Sequence, residues 1–259
     1  MTVKFYKYQG TGNDFIMIDN RQLQLSANTE MIRLLCHRKF GIGADGLIYL
    51  QQKEGYDFEM VYFNSDGNES TMCGNGGRCL IRFAHDLGLI GNKCLFMAID
   101  GEHEGEILPD GTVSLKMKDV EAIENSNGDF VLNTGSPHYV QFVNQADSIN
   151  IIPQAHAIRY NERFAANGIN VNFAEKKSMN ELFVRTYERG VEDETLSCGT
   201  GVVASALSLA YKSGLSLNEV SITTPGGKLS VAFSAFGKGY NNIYLKGPAQ
   251  QVFEGEIDI

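Results

Sequence analysis

Long apolar stretches are missing from this sequence. No run approaches the roughly eighteen uninterrupted apolar residues that a membrane-spanning helix needs, so no membrane contact is expected. The opening residues, Met1 to Tyr8, carry no apolar core of the secretory kind, which sets the expectation of a cytoplasmic protein. Basic residues are also scarce. Lys and Arg number 22 against 31 Asp and Glu, a net charge of −9. A sequence-independent nucleic-acid binder needs a basic face to neutralise phosphates. The longest basic cluster here is Lys176-Lys177, which reads as a solvated loop, so no nucleic-acid partner is expected. There are only five cysteines. An odd number without an export signal argues against a disulfide framework and fits a reducing compartment.

What remains is the composition of a globular protein, with 43% hydrophobic and 20% charged residues in 259 positions. That length suffices for one large domain or two small ones. Strand-like segments at Lys4–Lys7 and Phe15–Asp19 flank the turn Gly10–Asp14. Asn28-Thr29-Glu30 opens a helix expected to run to about Arg38, with Gly41 as its stop. Leu47–Gln51 and Phe58–Phe63 read as strands. The spacing of Cys79, Leu80, Phe83, Ala84 and Leu87 predicts a helix from Asn75 to Leu87, stopped by Gly88. Leu95 to Asn133 reads as short strands and turns. Phe130–Leu132 and Tyr139–Val143 flank Gly135-Ser136-Pro137-His138, and a strand at Phe183–Tyr187 leads to Glu188-Arg189-Gly190. A second helix, Val202–Tyr211, is apolar nearly all round, which predicts full burial, and Gly214 stops it. Short strands follow at Val220–Thr223, Leu229–Phe233 and Ile243–Lys246.

A repeat is concealed in this order. Cys73-Gly74-Asn75-Gly76 opens one helix and Cys198-Gly199-Thr200-Gly201 opens the other. The stop glycines follow their cysteines at nearly equal spacing. Two similar halves facing each other across a cleft are expected. Each cysteine stands where a helix N-terminus favours negative charge and lowers a thiol pKa. The following glycines let the backbone approach a ligand, and the first-turn N–H groups can hold a carboxylate. One such cysteine suggests a nucleophile. Two in matching settings suggest inversion of a carbon centre, one thiolate removing a proton from one face and one thiol returning a proton to the other. Cys36, Cys79 and Cys94 lie in apolar runs and read as small buried hydrophobes.

Four other readings fit the residues less well. Gly41-Ile42-Gly43-Ala44-Asp45-Gly46 matches a dinucleotide fingerprint, but it follows a helix and precedes a strand, the reverse of the required order. Cys36, His37, Cys73 and Cys79 lack the spacing of a structural zinc site. A Cys–His hydrolase built on Cys198 and His138 leaves Cys73 and its turn unexplained. A non-catalytic amino-acid-binding protein would need the cleft but not the thiols.

At these residues the sequence closely resembles the diaminopimelate epimerase family. The likeness runs through Gly12-Asn13-Asp14-Phe15, Gly41–Gly46, Phe63-Asn64-Ser65-Asp66-Gly67, Cys73–Cys79, Gly135–His138, and Tyr187–Gly190 into Cys198–Gly201, and extends to Pro225-Gly226-Gly227. The resemblance implies an α/β (α+β mixed) fold of two pseudo-symmetric halves. Each would be a mostly antiparallel sheet curled around a central helix, with the active site in the cleft. The implied halves are 1–117, joined by a C-terminal return at about 248–259, and 118–247. The implied activity is a cofactor-independent, PLP-independent amino-acid epimerase of lysine and peptidoglycan precursor biosynthesis, interconverting LL- and meso-diaminopimelate, with no metal. A homodimer is implied too. By position, Cys73 and Cys198 are the acid/base pair. Asn13, Asn64, Asn170, Glu188 and Arg189 hold the substrate, and Gly74-Asn75 and Gly199-Thr200 bind its α-carboxylate. His138 and Glu188 sit near the thiols and tune their pKa values. Two departures stand out. Many relatives carry Gln at the position of Gly46 and Asn at that of Ser136, which leaves open a related two-cysteine racemase with another amino-acid substrate.

Overall fold

The computed structural model describes residues 1–22 and 24–259. The chain divides into two compact units, Met1–Leu115 with Gly247–Ile259, and Lys116–Lys246. Among the described residues no helix is long and apolar enough to cross a membrane.

The first unit opens with β1 (Thr2–Gly10) and β2 (Asn13–Asp19), then α1 (Thr29–Cys36), β3 (Gly46–Gln51), β4 (Phe58–Asn64) and the short β5 (Glu69–Ser70). Helix α2 (Gly74–Asp86) follows, then β6 (Lys93–Ala98), β7 (Gly101–Ile107) and β8 (Val113–Lys116). Strands β1 and β2 pair antiparallel, β2 and β3 parallel, β3 and β4 antiparallel, β4 and β6 parallel. Both parallel steps are made by a helix crossover, as a parallel pair requires. Helix α1 covers one sheet face, where Ile32 and Leu35 pack with Ile16, Ile18, Leu47, Tyr49 and Phe63. Helix α2 covers the other. Burial on both faces explains why β2 and β3 read as continuous apolar runs instead of alternating ones.

Helix α1 ends at Cys36, short of the expected Arg38. Asn28 caps its start, its Oδ1 accepting from Met31 N at 3.0 Å. At the other end His37 turns to extended backbone at φ −70°, ψ 119°. The His37 Nδ1 then accepts from the N–H groups of Lys39 and Phe40. This local turn competes with another helical step, and it releases Arg38 to reach Asp14 and Asp45.

The second unit repeats the order. It contains β9 (Glu124–Ser126), β10 (Asp129–Asn133), β11 (Pro137–Phe142), α3 (Ile151–Arg159), β12 (Asn170–Lys176), β13 (Glu181–Glu188) and the short β14 (Asp193–Thr195). Helix α4 (Gly199–Ser213) precedes β15 (Glu219–Thr224), β16 (Gly227–Phe236) and β17 (Gly239–Gly247). Strands β10 and β11 pair antiparallel, β11 and β12 parallel, β12 and β13 antiparallel, β13 and β15 parallel. The duplication seen in two cysteine turns is therefore a duplication of topology. Helix α3 packs Ile151 and Ala155 against Val171, Phe173 and Tyr187, and the nearly fully buried α4 covers the opposite face. Helix α3 and strand β12 were not legible in the sequence. The helix carries Pro153 in its first turn, where proline is tolerated, but buries only Ile151 and Ala155 fully. The strand is buried along Asn170–Ala174 without alternation.

The chain returns to the first unit through β18 (Gln250–Asp258), antiparallel to β1 from Thr2–Asp258 to Gln9–Gln250. The chain ends meet, Met1 N donating to Ile259 O at 2.8 Å.

Candidate active site

Each cysteine is the N-cap of the helix that covers its sheet. Cys73 has φ −94° and ψ 128° before α2, and Cys198 has φ −111° and ψ 111° before α4. Both are extended residues whose carbonyl takes the first helical bond, from Gly77 N at 2.7 Å and from Val202 N at 2.9 Å. Neither thiol caps the helix. Residues 74–76 and 199–201 thus form first turns, whose N–H groups have no intrahelical acceptor.

In the first unit, Cys73 Sγ donates to Asn13 Oδ1 at 3.7 Å. The same oxygen accepts from Asn75 Nδ2 at 3.3 Å. Asn13 Nδ2 is held by Asp45 at 2.7 Å. Asp45 belongs to a charged cluster in which Lys7 and Arg38 both pair with Asp14. Burial would raise the Asp14 carboxyl, but hydrogen bonds from Arg38 and Lys7 hold it down at about 2. Beneath the first turn of α2 lies Arg78, fully buried. Its guanidinium donates to Gly74 O at 3.1 Å and to Asn75 Oδ1 at 2.9 Å. Burial lowers its pKa from the ordinary value, while the charges of the Cys79 and Cys73 sulfurs act to raise it. Asn64 ends β4 directly across from Gly46, and its Oδ1 accepts from the Tyr62 hydroxyl at 2.8 Å.

In the second unit, Cys198 Sγ lies 3.5 Å from Thr200 Oγ1, and that hydroxyl lies 3.2 Å from Ser136 Oγ. Ser136 Oγ is also 2.9 Å from His138 Nε2 and accepts from Asn170 Nδ2 at 3.1 Å. His138 is fully buried. Desolvation, with the nearby Arg189 charge, pushes it down to about 3. A neutral imidazole passes a dipole toward Cys198 through Ser136 and Thr200, not a charge. Arg189 N donates to Asn170 Oδ1 at 2.8 Å, and Arg189 Nη1 to Asn167 O at 2.9 Å. Glu188 ends β13. Position 201 requires glycine: an added Cβ would meet Asn172 Oδ1 at 2.3 Å.

Strand register aligns the two sets. Phe15 pairs with Gly46 and Gly46 with Asn64. His138 pairs with Asn170, which stands one step before the Val171–Tyr187 pair and hence beside Glu188. Asn13 therefore matches Ser136, Gly46 matches Asn170, and Asn64 matches Glu188. The structure brings Asn13, Gly74, Asn75 and Cys73 together in one unit, and His138, Asn170, Arg189, Thr200 and Cys198 in the other. Sequence reasoning did not single out Asp45, Arg78, Tyr62 or Asn172. Arg78 was visible as a charged residue inside an apolar helix pattern, and that conflict was the available signal. Among the described residues, no group of three or more His, Cys, Asp or Glu could hold a metal ion.

The family model described as diaminopimelate epimerase matches residues 5–123 and 130–252. The chain belongs to the diaminopimelate epimerase family. It is 51% identical to a diaminopimelate epimerase of Flavobacterium psychrophilum over 256 residues, covering 98% of this chain and all of that relative. It is 42% identical to a diaminopimelate epimerase of Chlorobaculum tepidum, with 96% and 99% covered. Among solved structures, a phenazine biosynthesis protein of the PhzF family from Bacillus anthracis has a TM-score of 0.80 at 16% identity, with both chains fully covered. A hydroxyproline epimerase from Agrobacterium vitis has a TM-score of 0.72 at 12% identity, covering 99% of this chain and 92% of the other. At such identities the likeness is one of fold, and it fits the two-halved mixed α+β architecture of the family.

Proposed function

We propose that this chain is an isomerase that interconverts LL- and meso-diaminopimelate without a cofactor, Cys73 and Cys198 exchanging protons with opposite faces of the α-carbon. The observation that carries this reading is the matched pair of N-capping cysteines whose thiols take no part in capping, in a chain of this family. One sulfur removes the α-proton as thiolate and becomes a thiol. The other gives its proton to the opposite face and becomes a thiolate, so the reverse reaction exchanges the roles. The first-turn N–H groups at Gly74-Asn75 and Gly199-Thr200 take the α-carboxylate and stabilise the charge that develops beside it. The buried Arg78 guanidinium beneath Cys73 favours negative charge at that end. Asn13, Asn64, Asn170, Glu188 and Arg189 orient the rest of the molecule. On this reading the chain acts in lysine and peptidoglycan precursor synthesis, in the cytoplasm, as a homodimer.

A Cys–His hydrolase is disfavoured by the state of His138. Its Nδ1 accepts from Asn172 at 3.1 Å, so its proton stands on Nε2 and it offers no base toward Ser136 and Thr200.

The test is exchange in D₂O with reduced protein and no added cofactor. Diaminopimelate is expected to gain α-deuterium as it inverts, observed by NMR and chiral chromatography. Substrate recovered unlabelled and uninverted would sink the assignment. Faster exchange into a single-ended amino acid would move it to a racemase of another substrate.

A further inference from the structure

Position 46 has no room for a side chain because Tyr62 occupies the space. An ideal Cβ on Gly46 would lie 2.6 Å from Tyr62 Cε2 and 3.2 Å from its hydroxyl, and 2.6 Å from the Phe63 carbonyl oxygen. Gly46 faces Asn64 across the two strands, and Tyr62 stands two residues earlier, hence on the same face of β4. Phe15, the partner of Gly46 on its other side, meets the Tyr62 ring edge-on with centroids 5.9 Å apart. The ring is pinned, with 8% of the residue exposed.

The second unit shows what this replaces. The counterpart of Gly46 by register is Asn170, whose side chain ties Ser136 to the Arg189 backbone. The counterpart of Tyr62 is Thr186, whose hydroxyl donates to Asn172 instead. In the first unit the polar group at this level comes from Tyr62, whose hydroxyl donates to Asn64 Oδ1 at 2.8 Å.

We infer that Tyr62 is a positioning residue that sets substrate recognition by locking the Asn64 amide, a role open to it only because residue 46 is glycine. An asparagine amide presents a donor on one side and an acceptor on the other. With Oδ1 engaged by the phenol, Asn64 turns its Nδ2 donors to the ligand. Donors suit a carboxylate and repel an ammonium, so Asn64 reads the carboxylate at the distal end of the substrate. The inference rests on the function proposed above and extends it to the residue pair that selects for a second carboxylate.

Tyr62→Phe tests it, since the ring that packs on Phe15 and Gly46 remains and only the hydroxyl leaves. Thermal unfolding establishes that the variant is folded. Removing one neutral hydrogen bond that orients a ligand group is expected to raise KM for diaminopimelate about five- to tenfold and change kcat less than about twofold. Asn64→Ala raises KM as well, and the double variant is expected to be no worse than Asn64→Ala alone, because the hydroxyl acts on the ligand through the amide. A folded Tyr62→Phe with unchanged KM, or additive effects in the double variant, overturns the inference while wild-type exchange continues. Wild-type protein that exchanges no diaminopimelate overturns the functional reading and this inference with it.

Discussion

The Asn172 amide donates to His138 Nδ1 at 3.1 Å and thereby settles which nitrogen of the buried imidazole carries the proton. The amide is itself oriented, its Nδ2 also donating to Tyr139 O at 2.9 Å and its Oδ1 accepting from Thr186. The pair makes a pH prediction. His138 titrates near 3 in the fold, well below the ordinary 6.5. A depressed folded value means the unfolded chain binds more protons between the two. Stability is then full above about pH 6.5 and falls as pH drops toward 3, by on the order of 2–4 kcal/mol. Urea unfolding measured from pH 7.5 to 3.5 is expected to show a steeper loss for wild type than for His138→Asn. Equal slopes would mean that the imidazole is not held neutral.

The cysteines divide by position: Cys73 and Cys198 cap helix N-termini, where a thiolate is favoured even though Cys198 is itself buried. Burial pushes the Cys36, Cys79 and Cys94 thiols up to about 12. Native protein treated with iodoacetamide at pH 8 is expected to label at Cys73 and Cys198 first, with the other three reacting only after unfolding. Peptide mass mapping reads the order. Labelling of Cys79 as fast as Cys73 would contradict its packing against Gly10.

Cys73→Ser and Cys198→Ser, made separately, are each expected to lower kcat for inversion by at least about a hundredfold, the usual scale of a lost acid or base. Chiral analysis of the product follows both. Full epimerisation by the Cys73 variant would rule out the two-thiol mechanism.

Gly201→Ala places a methyl group 2.3 Å from Asn172 Oδ1. The first turn of α4 must retreat or the amide must rotate, and either displaces the Thr200 end of the Cys198 site. A loss of about 1–3 kcal/mol in stability is expected, accompanied by a fall in kcat. Thermal melting near wild type would mean that the turn has room to spare.

Asp14 joins Lys7 to Arg38 on the α1 side of the sheet. Its carboxyl is held at about 2 against an ordinary 3.8, so it stabilises the fold above about pH 4, and that share is lost as pH falls through about 2. Asp14→Asn is expected to cost about 1–2 kcal/mol at pH 7, allowing for partial solvent screening. The gap from wild type closes toward pH 2 in acid-unfolding curves. A gap that is constant with pH would place the loss in packing instead of charge.

Local signals made part of this protein readable in advance. The helix stops at Gly88 and Gly214 were visible because a left-handed residue after a helix favours glycine, and both have positive φ. The apolar character of Val202–Tyr211 announced burial on every side, which holds through Ala210 and ends at the exposed Tyr211. Helix α3 was hidden because it buries so little, and strand β12 because its buried face includes Asn170 and Asn172, whose polarity imitates a loop. Those asparagines are tolerated inside only because His138, Ser136, Thr186 and the Arg189 backbone complete their hydrogen bonds, and those partners come from distant parts of the chain.

The sequence by itself determined the two cysteines, their matching turns and the chemistry open to a pair of thiols at helix N-termini, because capping and glycine geometry act within a few residues. Tertiary structure alone decided what surrounds them. It set Arg78 under one turn and a neutral His138 behind the other, and it filled the empty place at Gly46 with the Tyr62 ring. Those choices depend on which strands lie side by side and in what register, a matter of packing between residues far apart in the chain.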